Sequence, residues 1–61
     1  MITVKQFKKQ EVFKSAKKVR YFDLNGKDIS NKPSFILDLL PVIGTACNKD
    51  GTIDVDVEYI D

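Results

Sequence analysis

The stretch Thr52-Ile53-Asp54-Val55-Asp56-Val57-Glu58-Tyr59-Ile60 alternates apolar and acidic side chains. A strand sends successive side chains to opposite faces. The alternation therefore predicts Ile53, Val55, Val57 and Tyr59 on a core face and Asp54, Asp56 and Glu58 on the other. Immediately before it, Asn48-Lys49-Asp50-Gly51 has the composition of a tight hairpin turn. A three-residue loop with Gly51 in the left-handed region pairs Asn48 with Thr52. It then pairs Cys47 with Ile53, Thr45 with Val55 and Ile43 with Val57. Residues 42–48 become the partner strand. Cys47 lies on the core face, and Val42, Gly44 and Ala46 stand against the acids.

The same turn grammar occurs upstream in Asp23-Leu24-Asn25-Gly26-Lys27. A two-residue turn on Asn25-Gly26 would set Asp23 against Asp28, a like-charge contact. A type I turn on Leu24-Asn25 with Gly26 left-handed pairs Asp23 with Lys27 instead and is favoured. Residues 19–23 are rich in β-branched and aromatic types and read as a strand. The resulting hairpin shares one face among Val19, Tyr21 and Ile29.

Two helices frame these hairpins. Thr3 and Gln6 fit a capping box, and Ile2 and Phe7 fit the accompanying hydrophobic staple, so a helix begins at Val4. It extends to about Ser15; a stop near Gln10 with residues 11–15 extended is the alternative. Pro33 suits the first position of a second helix carrying Phe35, Ile36, Leu37, Leu39 and Leu40, which Pro41 ends. The expectation is one α+β domain over residues 1–61, in the order α-β-β-α-β-β. Its antiparallel sheet comes from two hairpins with the helices packed on one face. An all-β variant with residues 11–15 as a further strand is the runner-up.

Sixty-one residues hold one small core, and a chain this short buries only roughly 60% of its unfolded surface. One cysteine and no histidine exclude an internal disulfide and a structural zinc site. Good packing or self-association must therefore supply the stability. Met1 opens the chain and Asp61 closes it without a tag, which gives the expectation of a whole gene product. The N-terminus is too charged for a signal peptide. The longest apolar run, residues 35–43, is interrupted by Asp38 and Pro41 and is too short to span a membrane. With a lone thiol, a cytoplasmic location is expected.

The net charge of +1 conceals a polar distribution. Residues 1–20 carry net +6, residues 21–49 are neutral, and residues 50–61 carry −5. The acidic row Asp54, Asp56 and Glu58 offers a face to a basic partner. Its plainer reading is a solvated face protecting an edge strand. Lys5, Lys8, Lys9, Lys17, Lys18 and Arg20 offer phosphate contacts to nucleic acid; a solvated lysine-rich helix is the plainer reading. Phe35, Ile36, Leu39 and Leu40 offer an oligomer interface, against burial within the same chain.

Neither turn completes a calcium loop, because the first ligand position would be Tyr21 in one and Ala46 in the other. Cys47 has no histidine to ionise it and reads as a small core residue. Hydrolase, Walker and dinucleotide fingerprints are absent. No cofactor, metal or small-molecule substrate is indicated. The sum is a non-catalytic interaction, accessory or inhibitor module that self-associates or binds a protein partner. Nucleic-acid binding through the basic N-terminal helix is the alternative. In outline, the capped basic helix, hairpin, short helix and acidic final strand resemble the small accessory proteins of phages and mobile elements. That likeness is architectural and implies no particular site.

Overall fold

In the computed structural model, which describes residues 2–60, the elements are α1 (Val4–Phe7), α2 (Glu11–Ser15), β1 (Lys18–Phe22), α3 (Ser34–Leu37), β2 (Val42–Cys47) and β3 (Thr52–Val57). Met1 and Asp61, on which the expectation of a whole gene product rests, lie outside the described residues. The acidic-apolar stretch forms β3 as its alternation requires. Val55 and Val57 are 0% exposed and Ile53 is 4% exposed, while Asp56 is exposed and Asp54 half-buried.

β3 is the centre of the sheet and not an edge, since the strand order is β1-β3-β2. Edge protection is thus not what its acidic face does. β2 joins it as an antiparallel hairpin in the expected register, with Cys47 opposite Ile53, Thr45 opposite Val55 and Gly44 opposite Asp56. A bulge between Val42 and Gly44 then corrects the expectation further along. Val42, not Ile43, faces Val57 and packs against the core, and Ile43 is left 50% exposed.

The first hairpin stops after its turn. Gly26 donates to the Asp23 carbonyl with φ +81°, and the Asp23 amide donates to the Lys27 carbonyl, the bulged geometry that the charge argument favours. Only one bridge follows, Phe22 to Asp28. The Ile29 amide still donates to the Tyr21 carbonyl, but the Tyr21 amide finds Ser30 Oγ at 2.9 Å in place of a ladder carbonyl. The return segment therefore makes no strand. The other side of β1 pairs with β3, in parallel, with Val19 opposite Ile53 and Tyr21 opposite Val55. The two-hairpin sheet in the order α-β-β-α-β-β is replaced by a mixed sheet in the order α-α-β-α-β-β.

The first helix starts as its capping box predicts, with both reciprocal bonds between Thr3 and Gln6 present. Its leading amides are satisfied by tertiary partners: Val4 donates to Leu40 and Lys5 to Asp38. It ends at Phe7, and residues 11–15 form a separate helix, so neither the single helix to Ser15 nor an extended 11–15 is observed. The break has a packing cause. Val4 and Phe7 would not share a face with Phe13 and Ala16 on one continuous helix. Re-aiming the chain at Gln10 sets the Phe13 ring edge-on to Phe7, with centroids 5.8 Å apart. Pro33 stands one residue ahead of α3, in extended geometry.

Among the described residues, the eight buried apolar ones (Val4, Phe7, Tyr21, Ile29, Leu37, Ile53, Val55 and Val57) form one cluster between the helices and the inner face of the sheet. Asp23 is the one buried charged residue among those described, at 4% exposure. Its Oδ1 accepts the amides of Asn25 and Lys27, both at 2.9 Å, and so closes the turn. Gly51 closes the other turn at φ +91°, and a Cβ there would also meet the Lys17 stem at 3.1 Å.

Truncating Asp23 to Ala strands two amides and should cost about 2 kcal/mol in urea denaturation, with Asp23→Asn recovering part of the loss. Gly51→Ala should cost about 1–2 kcal/mol for the left-handed backbone, and more than Gly26→Ala, whose Cβ would meet nothing within 4 Å.

Candidate functional site

Parallel pairing of β1 with β3 decides what each charged residue meets. It sets Arg20 opposite Asp54 and Phe22 opposite Asp56 on the outer face of the sheet. Arg20 Nε donates to Asp54 Oδ1 at 2.8 Å, and its guanidinium lies 5.7 Å from the Phe22 ring centroid. Asn48 Nδ2 approaches the other Asp54 oxygen at 3.4 Å. The Arg20 and Asp54 side chains remain 40% and 26% exposed, so the pair contributes about 0.2–1 kcal/mol. Of the acidic row, Asp56 and Glu58 reach solvent and Asp54 is engaged internally. The meeting of the chain's two charge poles runs through a β1 residue and not through the first helix.

The remaining bases of the N-terminal third gather on the other side. A hollow of about 530 Å³ opens between α2, the start of β1 and the segment leading into α3. Lys8, Lys14, Lys17, Lys18 and Lys32 surround it, and no acidic residue lines it. Phe13, Ala16, Val19 and Leu37 line it with apolar side chains, and Tyr21, Ser30 and Ser34 complete the lining. Three of the sequence candidates, Lys8, Lys17 and Lys18, come together there. Lys5 and Lys9 are exposed on and just after α1 away from the hollow, and Arg20 belongs to the opposite face.

Lys14 and Lys32 join the cluster without having been singled out. No sequence signal placed Lys32 there, because it arrives only when the return segment folds back along β1. Lys8 is partly committed: its Nζ stands 2.6 Å from Asp38 Oδ1, a charge contact that lacks hydrogen-bond alignment. Lys32 Nζ lies 5.3 Å from the Tyr59 ring centroid. Burial pushes the Tyr21 hydroxyl above its ordinary value, with nearby Lys8 pulling it down and Asp38 pushing it up.

The oligomer candidates separate. Phe35 and Leu39 are 70% and 75% exposed, Ile36 and Leu40 are half-buried, and Leu37 is the residue of this run that enters the core. The apolar run is thus split between burial and exposure. Cys47 corrects the expectation of a small core residue: its register on the core face holds, yet it is exposed. The reason is that the helices stop short of β2, where Thr45, Ala46 and Cys47 are all exposed. No helix is long and apolar enough to cross a membrane among the described residues.

Two carboxyls outside these surfaces hold turns together. Hydrogen bonds from Ser30 keep Asp28 below the ordinary 3.8, and hydrogen bonds from Thr52 do the same for Asp50. Both are more acidic folded than unfolded, so their contribution is present above about pH 3.8 and lost as pH falls through the folded values. Tyr21 holds its proton more tightly when folded, so stability falls as pH rises above 10. A urea midpoint measured against pH should decline at both ends, and Asp50→Asn should flatten the acid limb.

Compared with protein-family models, with curated proteins and with solved structures, the chain matches none.

Proposed function

We propose that the chain is a non-catalytic interaction module that self-associates through β2. The observation that carries this reading is the state of that strand. It is uncharged along its whole length, Val42-Ile43-Gly44-Thr45-Ala46-Cys47. The Asn48 amide donates inward to Thr52. Ladder alternation therefore turns the backbone groups of Thr45 and Cys47 away from β3. Among the described residues they have no hydrogen-bond partner there; the N-terminal segment covers only the start of the edge, where Val42 donates to Ile2. An exposed strand edge without charge, proline or cover is a template for pairing.

A second copy is the occupant that this edge suits. Antiparallel pairing of β2 with itself brings no like charges together and closes as a two-fold dimer. The opposite edge of the sheet is protected, since residues 27–30 lie along β1. Pairing therefore ends at two copies with a six-stranded sheet. A chain this small gains most from such added burial. Exposed Phe35 and Leu39 are the other apolar surface on offer, the one singled out from the sequence. An accessory or inhibitory role would follow if the dimer presents its outer faces to a larger partner.

Analytical ultracentrifugation at micromolar concentration should show a dimer. Thr45→Lys should shift it to monomer without changing the circular dichroism spectrum, and Leu39→Lys should not. A monomer for the parent chain would overturn the reading. A dimer broken by Leu39→Lys alone would move the contact to α3.

A further inference from the structure

We propose that the lysine-rimmed hollow is a binding site for the phosphate backbone of single-stranded nucleic acid. The site shares no lining residue with β2 and lies beside the covered β1 edge of the sheet. Lys14, Lys17 and Lys18 are exposed at its rim and make no ion pair among the described residues. Lys32 completes the rim with a contact to an aromatic ring that a phosphate can replace. Lys8 is the member already committed, to Asp38. Lys14, Lys17 and Lys32 thus face one concavity with no lining acid to offset them, while Lys18 shares the outer face of β1 with Arg20. Of the acids, Asp38 meets the rim through Lys8, and Asp54 is held by Arg20 on the opposite face, alongside Asp56.

The shape selects the kind of nucleic acid. The lysines surround a hollow instead of crowning a ridge, and no helix or strand projects from it to enter a groove. A duplex carries its phosphates on a rigid convex cylinder, which meets only the rim of such a space. A single strand can bend its backbone into it. Base stacking is not on offer, because Tyr21 is buried and Phe13 half-buried beneath the rim. Binding therefore rests on phosphate neutralisation and is indifferent to sequence.

The test uses a fluorescein-labelled oligothymidylate and fluorescence anisotropy, with a duplex of the same length beside it. Three phosphate contacts predict that single-strand affinity falls roughly 20-fold between 50 and 200 mM salt. Lys14→Gln, Lys17→Gln and Lys32→Gln together should remove these contacts and abolish most of that fall. Lys5→Gln, Lys9→Gln and Lys49→Gln remove the same charge from residues that do not line the hollow and should leave affinity within about 3-fold. If the first triple variant fails to fold, each single substitution should still lower the salt slope by about 0.7. The proposal is overturned by no binding at low salt, by tighter binding of the duplex, or by equal losses in the two triple variants.

Discussion

Val55 lies between two strands, with Tyr21 opposite it on one side and Thr45 on the other, and it is fully buried. Ile53 repeats the arrangement between Val19 and Cys47, Val57 pairs with Val42, and this row is the wall against which α1 and α3 pack. Val4, Phe7 and Leu37 each bury against the same cluster. The three helices are four or five residues long, well below the length at which a helix is stable alone. They exist because the wall exists. α1 shows the dependence directly, since its first two amides are satisfied by the carbonyls of Leu40 and Asp38 and not by its own chain.

The parallel pairing that makes β3 central also sorts the charges. It brings Arg20 to Asp54 and Phe22 to Asp56, so part of each pole is neutralised across the outer face. The lysines nearer the N-terminus have no such partner strand. They flank the inner end of β1, where residues 30–34 fold back and add Lys32. A chain of net charge +1 thereby keeps one strongly positive concavity. Segregation along the sequence becomes segregation in space only for the bases. The acids are shared between an internal pair and a solvated face.

Three helices are too few to cover three strands. The buried wall ends at Val42, and the distal half of β2 is bare on its inner face and along its edge. Cys47 has the register of a core residue and the exposure of a surface one for this reason. The same shortage leaves Phe35 and Leu39 outside while Leu37 goes in. Small size thus appears here as uncovered surface. The two proposed contacts use different parts of it, one uncharged and one basic.

Local physics determined much of this in the sequence alone. The alternation of residues 52–57, the capping box at Thr3, and the turn in which Asp23 meets Lys27 each depend on side chains a few positions apart. The register of the second hairpin follows from its turn, up to the bulge before Gly44. Tertiary structure decided the rest. Whether residues 27–30 complete a strand depends on Ser30 Oγ capturing the Tyr21 amide and on the turn toward Pro33, while the other edge of β1 takes β3 as its partner. A parallel partner more than thirty residues away leaves no mark on either strand's own pattern, because both faces of β1 read the same whichever neighbour it takes. The acidic stretch kept its strand and its faces. Its place at the centre of the sheet, and the arginine beside Asp54, came only from that long-range pairing.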